Sequence, residues 1–450
     1  MSYTLSVYAD LITAYPTWSS LEAFLTSEAG GKLRVIKGDG PYAPLAIIRY
    51  TKGVSNMDPE HVYAFRSVVW NTVSNRPVCV APVKSSSAVS DGADMQISEF
   101  LDGIMIQGFN GPDGPMTATR TVLGSTNKFY TNRSFAELLE DVTGTVGGTN
   151  TFLTLPSGYF VNMLLQHPEH KTITALAQPR LYVTHFGKVD DDGTVTVMYD
   201  PSAWMDTFKP YAPRVYETVT CRGNLTELMV KYNPSPTGHV WQGLVFQEVG
   251  TYHRYRIRTD NYKKVRTLRG QESQMYERFL RLRREQSITN YLRYFPEDKK
   301  ELWACEKSFR NLSQLLLDAY TQVFKLKNNT FKDFHVSLRP HMYALHGQYI
   351  NSLKEGEPYP VVYSGVVEYM NKLSLEDQKN LMRHLKDQTP VPRAQFIRET
   401  TPSQEAHVDA DAIAHAHVAH DEQQCVAERQ HRPLRRRSPP PPRLPRSPLH

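Results

Sequence analysis

Short runs of β-branched and aromatic residues, each closed by turn residues, fill the chain from Gly31 to about Tyr262. Clusters of Gly, Pro, Asp and Asn separate the runs, a combination typical of strands joined by turns. The runs are KLRVI, APLAIIRY, RSVVWNTV, RPVCVAPV, GIMIQGF, RLYVTHFGKV, GTVTVMYD and HVWQGLVF. Two stretches, at 134–142 and 158–166, are predicted to be helices between the strands. The first part of the chain is therefore predicted to have an α+β fold.

Helical periodicity replaces the strand runs after Tyr262. The stretches at 271–295, 299–327 and 375–388 are rich in helix-forming residues. In the second stretch, apolar side chains recur at helical spacing. They are Leu312, Leu315, Leu316, Ala319, Tyr320 and Val323. We therefore expect a helical domain at 263–390 after a sheet domain at 1–262.

The composition changes again after residue 390. The last twenty residues, HRPLRRRSPPPPRLPRSPLH, contain seven prolines and six arginines and no acidic residue. Because such a segment has almost nothing to bury, 391–450 is predicted to be a disordered basic tail. The chain has no run of about 18 apolar residues and no basic start followed by an apolar run. We expect an intracellular protein, cytoplasmic or nuclear, that neither spans a membrane nor is secreted.

Positive charge is concentrated between His253 and Lys300. This segment holds fourteen basic residues against six acidic ones, a net charge of +8, whereas the whole chain carries +6. Aromatic residues lie among its arginines, which suits RNA because guanidinium groups bind phosphates and rings stack on bases. A solvated cationic surface, with some of the rings in a core, is the alternative. The RNA-binding candidates are Arg278, Arg281, Arg283 and Arg284.

A series of short motifs runs through the first domain. They are FRSVVWNTVSNRPVCVAPVKSSS at 65–87, SEFLDGIMI at 98–106, TRTVLGSTNKFY at 119–130, MLLQHPEHKTI at 163–173, WQGLVF at 241–246 and YRIRTDNY at 255–262. Their order resembles the signature motifs of the phage-type ATP-dependent RNA ligases, which belong to the covalent nucleotidyltransferase superfamily. The resemblance implies an antiparallel-sheet nucleotidyltransferase domain.

The attachment motif departs from the family pattern. In these ligases a lysine attacks the α-phosphate of ATP, and the resulting lysyl-adenylate passes its AMP to an RNA 5′-phosphate. In the segment that resembles Glu-Lys-x-Asp-Gly, Phe100 stands at the lysine position, before Asp102 and Gly103. A phenyl ring has no lone pair with which to form a phosphoramidate. Covalent adenylation at this position is therefore excluded.

The resemblance also assigns two carboxylates to a divalent cation. Leu164 and Gln242 occupy those positions, so no metal site is expected from them. ATP and Mg²⁺ are the cofactors that the resemblance implies, and neither is certain for this chain. Residues that can still bind a nucleotide or a phosphate remain in the motifs. They are Arg66, Lys84, Asp102, Gly103, Arg120, Arg256 and Arg258.

The leading interpretation is an RNA ligase-like protein that binds RNA and has lost covalent adenylation. Whether it also binds a nucleotide is left open. One alternative is an active RNA ligase that uses an unconventional nucleophile such as Lys84, or a partner subunit. The other is a noncatalytic structural interaction protein that keeps only the scaffold. RNA is the expected partner, while a protein partner and the oligomeric state are left open.

Overall fold

Strands dominate the computed structural model up to Arg258, and helices dominate the residues that follow. The structure describes residues 1–86, 92–144, 151–170, 173, 176–356 and 358–387. Met1–Asp387 forms one compact unit. The predicted α+β class with antiparallel sheets is confirmed. The predicted tail at 391–450 lies outside the described residues, and the domain boundary after residue 262 stays a prediction.

Within the described residues the strands form three sheets. The strands are β1 (Ser2–Leu5), β2 (Arg34–Lys37), β3 (Leu45–Arg49), β4 (Val68–Asn71), β5 (Arg76–Val80), β6 (Asp94–Glu99), β7 (Ile104–Gly111), β8 (Gly114–Ala118), β9 (Tyr159–Gln166), β10 (Arg180–Val189), β11 (Val195–Met198), β12 (Val215–Thr220), β13 (Gly243–Glu248) and β14 (Arg254–Arg258). Sheet 1 has the order β1-β11-β10-β9-β7-β8, sheet 2 the order β12-β6-β13-β14, and sheet 3 the order β2-β3-β4-β5. Neighbouring strands pair antiparallel in all three.

Among the described residues, four α-helices alternate with strands along the chain and seven follow β14. They are α1 (Val7–Ala14), α2 (Trp18–Thr26), α3 (Phe135–Thr143), α4 (Leu225–Tyr232), α5 (Asp260–Arg269), α6 (Met275–Arg284), α7 (Ile288–Tyr294), α8 (Lys299–Tyr320), α9 (Arg339–Lys354), α10 (Tyr363–Lys372) and α11 (Leu375–Asp387). None of the described helices combines the length and the apolar composition that crossing a bilayer requires.

The helix predicted at 158–166 is wrong, because these residues form strand β9. This strand lies in the interior of sheet 1, between β7 and β10. Val161 and Met163 are buried on one face, and Phe160 and Asn162 are buried on the other. A strand buried on both faces shows no alternation of polar and apolar residues, so periodicity cannot separate it from a buried helix.

The predicted helices after Tyr262 are confirmed, with one break. The stretch 271–295 is divided into α6 and α7, and Gln286 between them has a φ of 53°. In α8, the positions at helical spacing pack in one hydrophobic cluster with residues of α6, α9, α10 and α11. The apolar stripe of the sequence therefore marks the side of α8 that faces the helical core.

The faces of sheet 2 differ in character. Met95, Leu244 and Tyr255 pack with Leu228 of α4 in a hydrophobic cluster on one face. Because side chains alternate across a strand, residues 254, 256 and 258 of β14 lie on the opposite face. This polar face holds the motif residues that the sequence singled out.

Candidate phosphate-binding site

Three arginines of β14 point to the same face of sheet 2. Arg254, Arg256 and Arg258 are opposite Gln247, Val245 and Gly243 of β13 in the antiparallel register. Their spacing of two residues places successive Cα atoms about 7 Å apart along the strand. The sequence prediction that Arg256 and Arg258 share one face is confirmed by this strand.

Arg120 and Lys84 meet at the ring of Tyr50, which follows β3, and Arg66 lies beside Arg120. Arg120 Nε donates to the carbonyl oxygen of Arg66 at 3.2 Å, and its Cζ lies 5.1 Å from the Tyr50 ring centroid. Lys84 is exposed, and its Nζ lies 5.9 Å from the same centroid. Arg66 Nη1 donates to the carbonyl oxygen of Pro82 at 3.3 Å. These contacts bring the motifs at 65–87 and 119–130 together.

The two groups belong to one electrostatic cluster. We call Arg66, Arg120, Arg254, Arg256, Arg258 and Arg266 the arginine cluster. Burial, with repulsion from Arg66, lowers the pKa of Arg254 to about 10. Burial, with repulsion from Arg266 and Arg256, lowers the pKa of Arg258 to about 10. Both groups stay charged at neutral pH, so the cluster holds several positive charges close together.

The described carboxylates offset this charge only in part, since Asp102 interacts electrostatically with Arg258. Among the described residues, no Asp or Glu forms an ion pair within 4.0 Å with a member of the arginine cluster. Arg254 Nε is buried and has no hydrogen-bond partner in the described part of the chain. Buried cations are normally paired, because burying an uncompensated charge costs free energy. A cluster of cations that described carboxylates offset only in part is therefore a candidate anion-binding site.

Phe100 lies inside this charged region, directly after β6. Its backbone N donates to the carbonyl oxygen of Gly243 at 2.9 Å. The centroid of its ring is 4.6 Å from Arg258 Cζ and 5.8 Å from Arg256 Cζ. Guanidinium groups at these distances are attracted to the face of an aromatic ring. The residue at the expected nucleophile position thus holds two arginines in place.

Asp102 and Gly103 contact the strand that carries Leu164. Gln166 Nε2 donates to the carbonyl oxygen of Asp102 at 2.7 Å, and the backbone N of Ile173 donates to Asp102 Oδ2 at 3.3 Å. A Cβ at Gly103 would lie 2.6 Å from the carbonyl oxygen of Leu165 and 2.7 Å from a methyl group of Leu164. Glycine is therefore required here by the close approach of the two strands.

Gln242 is buried and lies between Arg258 and Tyr262. In the amide orientation that satisfies both neighbours, its Nε2 donates to Tyr262 Oη at 2.9 Å. Its Oε1 accepts from Arg258 Nε at 3.2 Å and from Arg258 Nη2 at 3.3 Å. Burial and the nearby Asp102 carboxylate, which hydrogen-bonds with the Tyr262 hydroxyl, raise the pKa of Tyr262. One hydrogen-bonded chain of side chains therefore joins the motif at 98–106 to the motifs at 241–246 and 255–262.

The site residues do not fit a divalent cation. Leu164 has no donor atom, and Gln242 Oε1 already accepts two hydrogen bonds from Arg258. In the described residues, no group of three or more His, Cys, Asp and Glu side chains is placed to share a metal ion. Hard divalent cations require several oxygen ligands. The guanidinium groups, in contrast, suit the phosphates of a nucleotide or of RNA.

The helix arginines predicted to bind RNA are mostly engaged within the fold. Arg278 is 2% exposed, and its Nη1 donates to Tyr291 Oη at 3.2 Å. Arg281 Nη1 donates to Glu285 at 2.9 Å, and Arg283 Nε donates to Glu306 at 3.3 Å. Packing thus removes Arg278, one of the predicted RNA-binding residues, from solvent. Of the four candidates, Arg284 is the exposed one.

A separate cavity of about 700 Å³ lies between α5, α6 and α7. Lys263 and Lys264 line it, and so do Glu272 and Glu285, both of which pair with Arg281. Its charges are therefore partly neutralised, in contrast to those of the arginine cluster.

Sequence reasoning missed four residues of the site. Arg254 extends the alternation that contains Arg256 and Arg258, so the pattern RYRIR could have revealed it. Tyr262 lies in the last motif, next to the residues that were chosen. Arg266 and Tyr50 have no local signal, because only the packing of distant segments brings them to the site.

No protein-family profile matches the chain, and no curated protein matches its sequence. Solved structures do match it. A Naegleria gruberi RNA ligase with PPi is 13% identical, with 39% of this chain and 52% of that chain covered and a TM-score of 0.30. An archaeal ATP-dependent RNA ligase is 8% identical, with 67% and 82% covered and a TM-score of 0.35.

A third match is a chain from Aquifex aeolicus that was assigned as an ATP-dependent DNA ligase. It is 14% identical, with 61% of this chain and 72% of that chain covered and a TM-score of 0.33. This chain thus spans about half the length of the Naegleria ligase and more of the other two. These solved structures belong to the class of ligases that the motif series resembles, and at TM-scores of 0.30 to 0.35 that resemblance stays a prediction for this chain.

Proposed function

We propose that this chain is a ligase-like pseudoenzyme that binds RNA phosphates at the arginine cluster and does not form a covalent lysyl-adenylate. The contact of the Phe100 ring with Arg256 and Arg258 carries this proposal. It places an unreactive side chain where the resembling ligases have their nucleophile. At the same time it keeps two phosphate-binding groups in position.

The charge distribution supports a polyanionic ligand. The arginine cluster combines residues from the loop before β4, from β14 and from α5, and no described carboxylate pairs with them. RNA supplies closely spaced phosphates that can neutralise such a set. Arg284 on α6 is exposed and stays part of the proposed RNA surface, whereas Arg278, Arg281 and Arg283 support the fold. We place this function in an intracellular compartment, where RNA is found.

Incubation with α-labelled ATP and a divalent cation tests the loss of covalent chemistry. We expect no acid-stable labelled protein band with ATP or with GTP, because Phe100 cannot carry the adenylate. A strong band would contradict the proposal. RNA binding is measured in parallel by fluorescence anisotropy, and an absence of RNA binding would favour a noncatalytic interaction protein instead.

An active enzyme with another nucleophile is the second candidate. It is favoured by one observation, since Lys84 is exposed and lies on the same Tyr50 ring as Arg120. If a labelled band formed, peptide mapping would identify the modified residue. Label at Lys84 that disappears in Lys84→Arg would establish this alternative.

A further inference from the structure

Arg258 is held in a fixed orientation before any ligand binds. Gln242 Oε1 accepts hydrogen bonds from its Nε and Nη2 on one side, and the Phe100 ring lies 4.6 Å from its Cζ. A guanidinium group has five N–H donors, so three remain for a ligand. A donor that is already ordered loses little conformational entropy when it binds.

Gln242 stands at a position where the resembling ligases have a metal-binding carboxylate. A glutamate here would pair with Arg258 and neutralise it, whereas the neutral amide orients Arg258 and leaves its charge for a ligand. The substitution that removes a metal ligand therefore also preserves a cation. The presence of Gln242 in place of a carboxylate explains why the site lacks ligands for a divalent cation and yet carries a strong positive charge.

We infer that the arginine cluster binds a terminal polyphosphate group without a divalent cation, with Arg258 supplying positive charge where the resembling ligases use a metal ion. This inference rests on the proposed function and names the ligand class of the same site. The ligand is a triphosphate, carried either by the 5′ end of an RNA or by a free nucleoside triphosphate.

The convergence of the cations favours a polyphosphate over an extended chain of phosphodiesters. Arg256 and Arg258 contact one ring, and Arg66 is close enough to Arg254 and Arg256 for repulsion to contribute to lowered pKa values. A phosphodiester brings one negative charge to each position. A triphosphate brings several to one place, where the guanidinium groups of the cluster can share them.

The test uses the full chain and two RNAs of the same sequence, one with a 5′-triphosphate and one with a 5′-hydroxyl, in buffer containing EDTA. We expect the triphosphate RNA to bind about tenfold more tightly, which corresponds to one additional charge-assisted hydrogen bond. Added Mg²⁺ should not raise this affinity, because the site has no ligands for it. ATP and inorganic tripolyphosphate are then used as competitors. Competition by ATP supports a free nucleotide as the source, and competition by tripolyphosphate alone supports the RNA end.

The variant Gln242→Glu adds a negative charge to the site with little change in the shape of the side chain. Its carboxylate should pair with Arg258, so we expect it to weaken binding of the triphosphate RNA in EDTA by about tenfold. Binding of the 5′-hydroxyl RNA should weaken less, by about threefold, because neutralising Arg258 removes only one phosphate contact from it. Gln348→Glu, at an exposed position of α9, adds the same charge elsewhere and serves as the matched control.

The possible results separate the two proposals. Equal affinity for the two RNAs, a requirement for Mg²⁺, or an unchanged Gln242→Glu variant would overturn the polyphosphate inference and leave RNA binding intact. Failure of both RNAs to bind would instead overturn the proposed function. Thermal unfolding of each variant shows whether it is folded, and Arg258→Lys, which keeps the charge and loses the planar fork, provides a second variant at the site.

Discussion

The Arg258 guanidinium lies 4.6 Å from the centroid of the Phe100 ring, which occupies the position of the attachment lysine in the resembling ligases. In those enzymes the position carries a reactive amine. In this chain it packs against a cation. In the proposed function the ring positions a phosphate-binding group and cannot itself react.

Replacing Phe100 by lysine alone should not create RNA-joining activity. Leu164 and Gln242 would still leave a divalent cation without carboxylate ligands, and the new amine would lie beside Arg256 and Arg258. We expect adenylation only when Phe100→Lys is combined with Leu164→Glu and Gln242→Glu. Gel-based ligation and α-labelled ATP transfer measure this, and efficient joining by the single variant would show that the metal positions are misassigned.

Reversing the charge at Arg256 and Arg258 should weaken RNA binding and reduce its salt dependence. The logarithm of the affinity should fall linearly with the logarithm of the salt concentration, with a slope of about −0.7 for each phosphate contacted. The double variant Arg256→Glu/Arg258→Glu should therefore show a slope smaller by about 1.4. Arg222→Glu, on an exposed turn after β12, is the matched control.

Deletion of the chain after Pro390 should weaken RNA binding less than this double reversal, because the folded site is already ordered. The opposite ranking, with affinity and slope unchanged in the double variant, would place RNA binding in the deleted segment. Both measurements use fluorescence anisotropy over a salt series.

Arg278 should contribute to the stability of the fold and not to RNA binding. Its Nη1 lies 3.9 Å from Oδ2 of Asp298, which is fully buried and accepts a hydrogen bond from Tyr291 Oη at 2.6 Å. Removing a cation that faces a buried carboxylate typically costs about 3 to 5 kcal/mol of the free energy of unfolding. We expect a loss of this size for Arg278→Ala in urea unfolding, and a change within about 0.5 kcal/mol for the exposed Arg284→Ala. Equal losses of stability in Arg278→Ala and Arg284→Ala would contradict the assignment of Arg278 to the stability of the fold.

The buried His170 should make the protein less stable in mild acid. Burial, reinforced by Arg269 and His167 and opposed by Asp102, lowers the pKa of His170 to about 4. Because an unfolded histidine titrates near 6.5, its contribution to stability is complete above that pH and is lost as the pH falls towards 4. The expected loss is about 2 kcal/mol between about pH 7 and about pH 5.

Urea unfolding at the two pH values measures the His170 effect. His170→Gln should remove this part of the pH dependence, whereas His253→Gln, at an exposed position, should keep it. Parallel pH profiles for the wild type and His170→Gln would show that other groups cause the loss.

Local sequence patterns determined most of the secondary structure. Alternating or continuous β-branched runs identified β2 to β5 and β10, and the spacing of Leu312 and Leu316 identified α8, because both patterns record which side of an element is buried. The motif series also predicts, by resemblance, that Phe100 stands at a nucleophile position. That a phenyl ring cannot form a phosphoramidate needs no coordinates, since its chemistry is the same in any environment.

Tertiary structure decided what the sequence left ambiguous. It made 158–166 a strand, because β7 and β10 supply hydrogen bonds on both of its edges. It buried Arg278 and brought Arg66 to the arginines of β14, almost 200 residues later in the chain. The sequence determines the charge of each side chain. Its partners and its exposure to water depend on segments that are distant in the chain, and these decide whether an arginine stabilises the fold or binds a ligand.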